Sequence, residues 1–275
     1  MDSKFNKHKE LMDKIYEKPQ YPKAIDLWGS FYADNKDQVI YSNWRHNNIK
    51  RQKIENLVFE KLIKPNNKIL DIGCGKGFFL RRIYENFGDS IDYYGVDISE
   101  VAINLAKKYF MKAKYTTSSG ENLPFENNSF NYVQLISTLW HVVDQEKVLK
   151  EAHRVLIKGG FIYMVIHKKS IDPFLLFEFY RKLKKSKITS NKVSLKKTHP
   201  SIHTLSLDSL RNEIDRISNN LGLTLIDKKI FVSHIQIGFY RKLKVPMFFL
   251  IKIADILNKL PFTCYKNLEY RIYRK

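Results

Sequence analysis

A chain of 275 residues with 44% hydrophobic side chains can fill one sizeable α/β domain with additions, or two small domains, and can fold without disulfides. Its longest apolar runs, such as Val245–Ile251, fall far short of the roughly 20 residues that cross a bilayer, and the start MDSKFNKHKE lacks a signal-peptide core, so a cytoplasmic protein is expected. The formal charge of +20 is unevenly spread, with 23 Lys and Arg against 8 Asp and Glu from Phe161 to Lys275, a clustering that points to an anionic partner or to a heavily solvated face.

In chain order, the first clear strand signal is KILDIG (Lys68–Gly73), which runs into glycines at 73, 75 and 77 and then into the amphipathic helix pattern GFFLRRIYENF. DYYGVDI (Asp92–Ile98) reads as a second strand, and SEVAINLAKKYF as a helix with Ser99 at its N-cap. AKYTTS is a weaker strand and FNYVQLIS a stronger one. QEKVLKEAHRVL places Val148, Leu149, Ala152, Val155 and Leu156 on one helical stripe, and GFIYMVIH ending at His167 is a further strand. Strands alternating with helices imply right-handed crossovers and a parallel, doubly wound sheet, whose ligands bind beyond the carboxyl ends of the strands. Farther on, Leu207, Leu210, Ile214, Ile217 and Leu221 form a helical stripe that Gly222 stops, and LTLIDKKIFV and NLEYRIYRK read as closing strands.

The glycine turn follows the first strand. A dinucleotide fingerprint would need a third glycine where Phe78 stands, and Asp71 just before the turn would repel a pyrophosphate while suiting an ammonium or another cation. The two cysteines, Cys74 and Cys264, form neither a disulfide framework nor a metal-ligand cluster, and both are expected to be reduced and structural.

Four motifs in order, LDIGCGKG (Leu70–Gly77), GVDIS (Gly95–Ser99), SSGENLPFENNSFNYV (Ser118–Val133) and HVVDQEKVLKEAHRVLIKGG (His141–Gly160), resemble the class I S-adenosylmethionine (SAM)-dependent methyltransferases. The resemblance implies an α/β fold with a doubly wound, mostly parallel seven-stranded sheet, its last strand an antiparallel edge, and helices on both faces. It also implies a cofactor-covering helical segment over residues 1–53, a SAM-binding core over 54–168, and a basic acceptor-side part with closing strands over 169–275. Carried onto this chain, Asp71 and the backbone at Gly73 and Gly75 would hold the methionine end of SAM, Asp97 the ribose hydroxyls, and Ile98 the adenine face. The third motif departs from the family pattern: Ser119-Gly120-Glu121 stands where an aspartate often precedes a small residue and glutamate. Adenine recognition would then pass to the Ser119 hydroxyl or to the backbone at Gly120 and Glu121. Asn131, where an aspartate is common, reads as structural.

SAM already carries an activated methyl group, so catalysis needs proximity, alignment and exclusion of water, with a base only for an acceptor that holds its proton tightly. His141 and His167 are the base candidates, a helix-capping or interfacial role being the alternative for each; His199 and His203 are weaker ones. No metal site is expected. Tyr21, Trp28, Phe31, Tyr32, Tyr41 and Trp44 would either pack a covering helix or place an aromatic ring near the sulfonium.

The string FYRKLK occurs at 179–184 and again at 239–244, each copy beside an apolar run, and Arg181–Lys197 holds eight basic and no acidic residues. That combination suits an anionic membrane surface or a lipid-linked acceptor, unless the apolar runs pack on their own domain. The expected acceptor is a hydroxyl on a small molecule or glycan. RNA is the alternative acceptor, and a SAM-binding scaffold without turnover the further one.

Overall fold

The computed structural model describes residues 6, 9, 10, 13, 49–167, 207–231 and 268–275. The aromatic cluster at 21–44, both FYRKLK copies with their apolar runs, the basic segment 181–197, His199, His203 and Cys264 lie outside the described residues.

The elements run α1 (Ile49–Leu62), β1 (Lys68–Ile72), α2 (Phe78–Phe87), β2 (Asp92–Asp97), α3 (Glu100–Tyr109), β3 (Lys114–Thr117), β4 (Phe130–Ile136), α4 (Gln145–Val155), β5 (Leu156–His167), α5 (Leu207–Asn220), β6 (Thr224–Phe231) and β7 (Leu268–Arg274). They form one seven-stranded sheet of order β3-β2-β1-β4-β5-β7-β6. β1 to β5 pair in parallel, and β7 runs antiparallel to both β5 and β6. The order reverses between β1 and β4, whose carboxyl ends therefore open a crevice for a ligand.

The last strand is antiparallel as expected, but it is not the edge. β7 lies between β5 and β6, and β6 takes the edge. Burial explains the exchange: Glu269, Tyr270, Arg271, Ile272 and Tyr273 are all buried, whereas Leu225 and Ile226 of β6 are exposed. A strand buried on both faces belongs inside a sheet.

Period-2 alternation divides the strand side chains between two cores. Leu70, Ile72, Val133, Leu135, Ile162 and Met164 meet α4 and α5 on one face; Ile69, Tyr132, Tyr163 and Val165 meet Phe59, Ile63, Leu80 and Ile83 of the α1 and α2 side on the other. The helix ends follow local chemistry. Ser99 Oγ accepts from Ala102 N at the start of α3, and Asp144 accepts from Lys147 N at the start of α4. Asn131 is structural, its Oδ1 accepting from Lys68 N at 2.8 Å and so tying the start of β1 to β4. Beneath α5, Arg271 pairs with Glu269 and Asp215, and Glu269 also takes Arg211 and Lys228. Charges removed from water in this way persist only when paired.

Candidate active site

The site grows from the carboxyl end of β1. Gly73 N and Cys74 N both donate to Val96 O, at 2.8 and 3.0 Å, which folds the turn back onto β2. Gly73 has φ +73°, and a Cβ there would come within 2.5 Å of Thr138 Cγ2; Thr138 Oγ1 in turn donates to Ile72 O at 2.8 Å. Only glycine fits that conformation in that space. Gly77, φ +77°, opens α2 without a side-chain cap, and a Cβ on it would collide with the Tyr115 hydroxyl. The turn thus presents backbone rather than side chains to the crevice.

Two carboxylates flank it. Asp71 is 1% exposed, and its Oδ2 has no hydrogen-bond partner. Burial pushes its pKa up to about 8; the Gln134 amide opposes this and the charge of Asp97 adds to it. Gln134 is the register partner of Asp71 on β4, also buried, with its Nε2 likewise unsatisfied and its Oε1 accepting from Tyr132 Oη at 3.4 Å. A buried Asp71 Oδ2 with no partner of normal hydrogen-bond geometry is an acceptor that a polar ligand completes.

Asp97 closes β2. Its Oδ2 accepts from Gly75 N and its Oδ1 from Ser99 N, both at 2.9 Å. Burial raises its pKa to about 6 against the pull of those amides, with a further upward contribution from Asp13. Asp13 also accepts from Ser99 Oγ at 2.5 Å. Each Asp97 oxygen keeps a second lone pair, so the backbone bonds orient the carboxylate without exhausting it.

Beside Asp97 opens a cavity of about 520 Å³, lined by Ile98, Thr117, Ser118, Ser119, Glu121, Asn122, Val143 and Lys147 of the core together with Asn6 and Lys9. Glu121 Oε1 accepts from Val143 N and Asp144 N, at 3.2 and 3.0 Å, so this carboxylate joins the loop after β3 to the start of α4. Ser119 Oγ accepts from Glu121 N at 3.1 Å. Gly120 is pressed against the first core, where a Cβ would come within 2.9 Å of Ile72 Cγ2.

Of the ten site candidates read from the sequence, Asp71, Gly73, Gly75, Asp97, Ile98, Ser119, Gly120 and Glu121 gather at the carboxyl ends of β1, β2 and β3. His141 and His167 fall at the same end of β4 and β5: His141 N donates to Thr138 O in the turn after β4, and His167 is the last residue of β5. Sequence reasoning missed Gln134, Thr138, Lys147 and the contribution of Asn6, Lys9 and Asp13. The last three, helical at spacings of three and four, lie inside the segment 1–53 expected to cover the cofactor, where only the aromatic residues at 21–44 were singled out.

The methyltransferase domain profile matches residues 70–164, which contain the glycine turn and Asp97. A ubiquinone/menaquinone biosynthesis C-methyltransferase UbiE of Rickettsia akari is 30% identical over 190 residues, covering 62% of this chain and 73% of the relative. The chain belongs to the class I SAM-dependent methyltransferases. A demethylmenaquinone methyltransferase of Lysinibacillus sphaericus is 28% identical over 162 residues, covering 54% of this chain and 65% of that relative. A UbiE of Rickettsia bellii is 36% identical over 126 residues, 42% of this chain and 50% of its own. The methyltransferase therefore spans only about half to two-thirds of these two curated relatives.

Among solved structures, a SAM-dependent methyltransferase from Methanosarcina mazei superposes with a TM-score of 0.52 at 19% identity, covering 79% of this chain and 96% of that one, a likeness of fold. SAM is the cofactor of the family, and the methyltransferase's crevice fits it. The orphaned Asp71 oxygen suits the ligand's ammonium, the glycine turn leaves room for close backbone approach, and two buried acids with raised pKa favour a cation over a phosphate.

Proposed function

We propose that this protein transfers the methyl group of SAM to a small-molecule acceptor, and that the acceptor atom is a hydroxyl oxygen on a small molecule or glycan. The observation that carries the methyl-transfer reading is the buried Asp71 with its unpartnered oxygen beside a glycine turn, followed at the end of β2 by the amide-oriented Asp97. In this reading Asp71 and the turn at Gly73 and Gly75 hold the methionine end, Asp97 the ribose, and Ile98 with Ser119 to Glu121 the base. SAM supplies an activated methyl group, so the protein's own work is to orient the two reactants and keep water out.

A hydroxyl acceptor must lose its proton as the new bond forms. We propose that His141, in the turn after β4, or His167, the last residue of β5, accepts that proton. The basic and apolar runs after His167 would receive the acceptor, which allows a lipid-linked one and peripheral contact with an anionic membrane. RNA is the competing acceptor for the same charge.

The relatives' names favour a second reading, methyl transfer to a ring carbon of a quinone precursor. Against adopting it first, the methyltransferase-domain match over residues 70–164 covers the cofactor half of the fold, which does not select the acceptor. Methyl-labelled SAM incubated with hydroxylated glycan, quinol and RNA pools, with the product located by mass spectrometry, decides among them. Label on oxygen supports the proposal, label on a ring carbon moves it to the second reading, and labelled RNA overturns both. A protein that binds S-adenosylhomocysteine but labels nothing would be a scaffold.

A further inference from the structure

Glu121 uses only half of its carboxylate within the fold. Its Oε1 accepts from Val143 N and Asp144 N, at 3.2 and 3.0 Å, which pins the group at the start of α4. Its Oε2 takes no hydrogen bond among the described residues, and Glu121 is a partly buried residue in the lining of the cavity beside Asp97. With one oxygen held on the α4 side, the other is left to meet whatever fills the cavity.

A 6-aminopurine asks one thing of such a cavity. Its amino group only donates in the ring plane, because its lone pair is delocalised into the ring, so it needs an acceptor. The Lys9 and Lys147 ammonium groups only donate. Ser119 Oγ already accepts from Glu121 N at 3.1 Å, and Ser118 Oγ is turned to its own loop, donating to Asn122 O at 3.0 Å. The Asn6 and Asn122 side chains are exposed neutral amides that present either end. Glu121 is the one carboxylate in the lining, and a hydrogen bond to an ionised acceptor is about twice as strong as a neutral one.

We infer that Glu121, through Oε2, is the residue by which this methyltransferase selects adenine, accepting a hydrogen bond from the 6-amino group. The inference rests on the SAM reading of the site and deepens it. Base recognition and the junction between the loop after β3 and α4 then share one carboxylate.

The test is calorimetric binding, to the full-length protein, of S-adenosyl-L-homocysteine and of its 6-deamino analogue, in which hydrogen replaces the amino group while ring N1 and N7 remain acceptors. The wild type is expected to favour the adenosyl ligand by about 10- to 150-fold, the range of one hydrogen bond to a charged group. Glu121→Gln keeps an Oε1 for the two backbone amides and puts an NH₂ where Oε2 stood, so the preference should fall to within about threefold while the deamino ligand keeps its wild-type affinity. Should the glutamine protein fail to fold, Glu121→Asp decides: it keeps the charge but is too short to hold both amides and still reach the base, and the same loss of preference is expected. A wild type that favours the adenosyl ligand by less than about tenfold overturns the inference and leaves the SAM reading intact. So does a variant that weakens both ligands alike and keeps the preference, the mark of a carboxylate that only braces α4. If the wild type binds neither ligand, the SAM reading goes, and the inference with it.

Discussion

Replacing Asp97 by alanine separates binding from folding. In the folded protein the carboxylate takes Gly75 N and Ser99 N at 2.9 Å each, and the substitution leaves both amides without that acceptor. An orphaned buried N–H costs about 1–3 kcal/mol, so the loss is about 2–6 kcal/mol. Against this stands the burial of the charge, which raises the pKa from 3.8 to about 6. At about 1.4 kcal/mol per unit, holding Asp97 ionised at neutral pH costs about 3 kcal/mol, which alanine recovers. The two effects are of similar size, so the melting temperature should move by no more than about 5–10 °C, given about 2–4 °C per kcal/mol in a chain of this size.

Ligand binding has no such offset. Losing one charge-assisted contact worth about 1.5–3 kcal/mol weakens S-adenosylhomocysteine by about 10- to 150-fold. Asp97→Asn should fall with alanine, because one of the two amides would then face the carboxamide NH₂. Calorimetry and thermal melts on the same preparations check this. A dissociation constant within about threefold of wild type, in a protein whose melting temperature has collapsed, would show that Asp97 braces the turn and does not meet the ligand.

Apo stability should fall as pH rises from about 4 to about 8. Asp71 keeps its proton in the folded state, with a pKa near 8, while the unfolded chain releases it near 3.8, so the slope is negative, at most about 1.4 kcal/mol per pH unit, and Asp71→Asn should flatten it in urea titrations. By the same linkage, S-adenosylhomocysteine binding at pH 7 should release close to one proton from wild type and none from Asp71→Asn, read by calorimetry in buffers of different ionisation enthalpy. Gly73→Ala combines a left-handed backbone with contact at 2.5 Å to Thr138, and should lower stability by about 2–4 kcal/mol in denaturant melts while Gly88→Ala, open around its Cβ position, loses only the φ strain. Chelators should leave turnover unchanged, because the motifs hold no His, Cys and carboxylate cluster at metal-ligand spacing; loss of activity restored by magnesium would contradict this.

What the sequence made legible was local or periodic. Gly73, Gly75 and Gly77 after an apolar run located the turn, Ser99 marked the start of α3, and the stripe Leu210, Ile214, Ile217 marked the buried face of α5. What stayed hidden depends on contacts between distant residues. Gln134 sits in the apolar run FNYVQLIS, where no spacing shows that its register partner is Asp71. The place of β7 inside the sheet is likewise set by its two neighbours and by Arg271 and Glu269 meeting α5, and none of these is visible in NLEYRIYRK. Nor does the sequence show that the carboxylate of Glu121, whose backbone is a candidate base contact, braces a loop joined to α4.

The interior position of β7 also sets an order of events for a chain leaving the ribosome. β5 ends at His167, yet the strand that covers its free edge begins at Leu268, about a hundred residues later. Until then the backbone donors and acceptors of Phe161–His167 that face away from β4 lack their β7 partner, and that segment is rich in β-branched and aromatic side chains. The cofactor crevice between β1 and β4 can therefore form while the sheet is still open on its far side, and the nascent protein passes through an interval in which strand addition from a neighbouring chain competes with its own closure. Slower synthesis past residue 167 would lengthen that interval and lower the yield of folded enzyme.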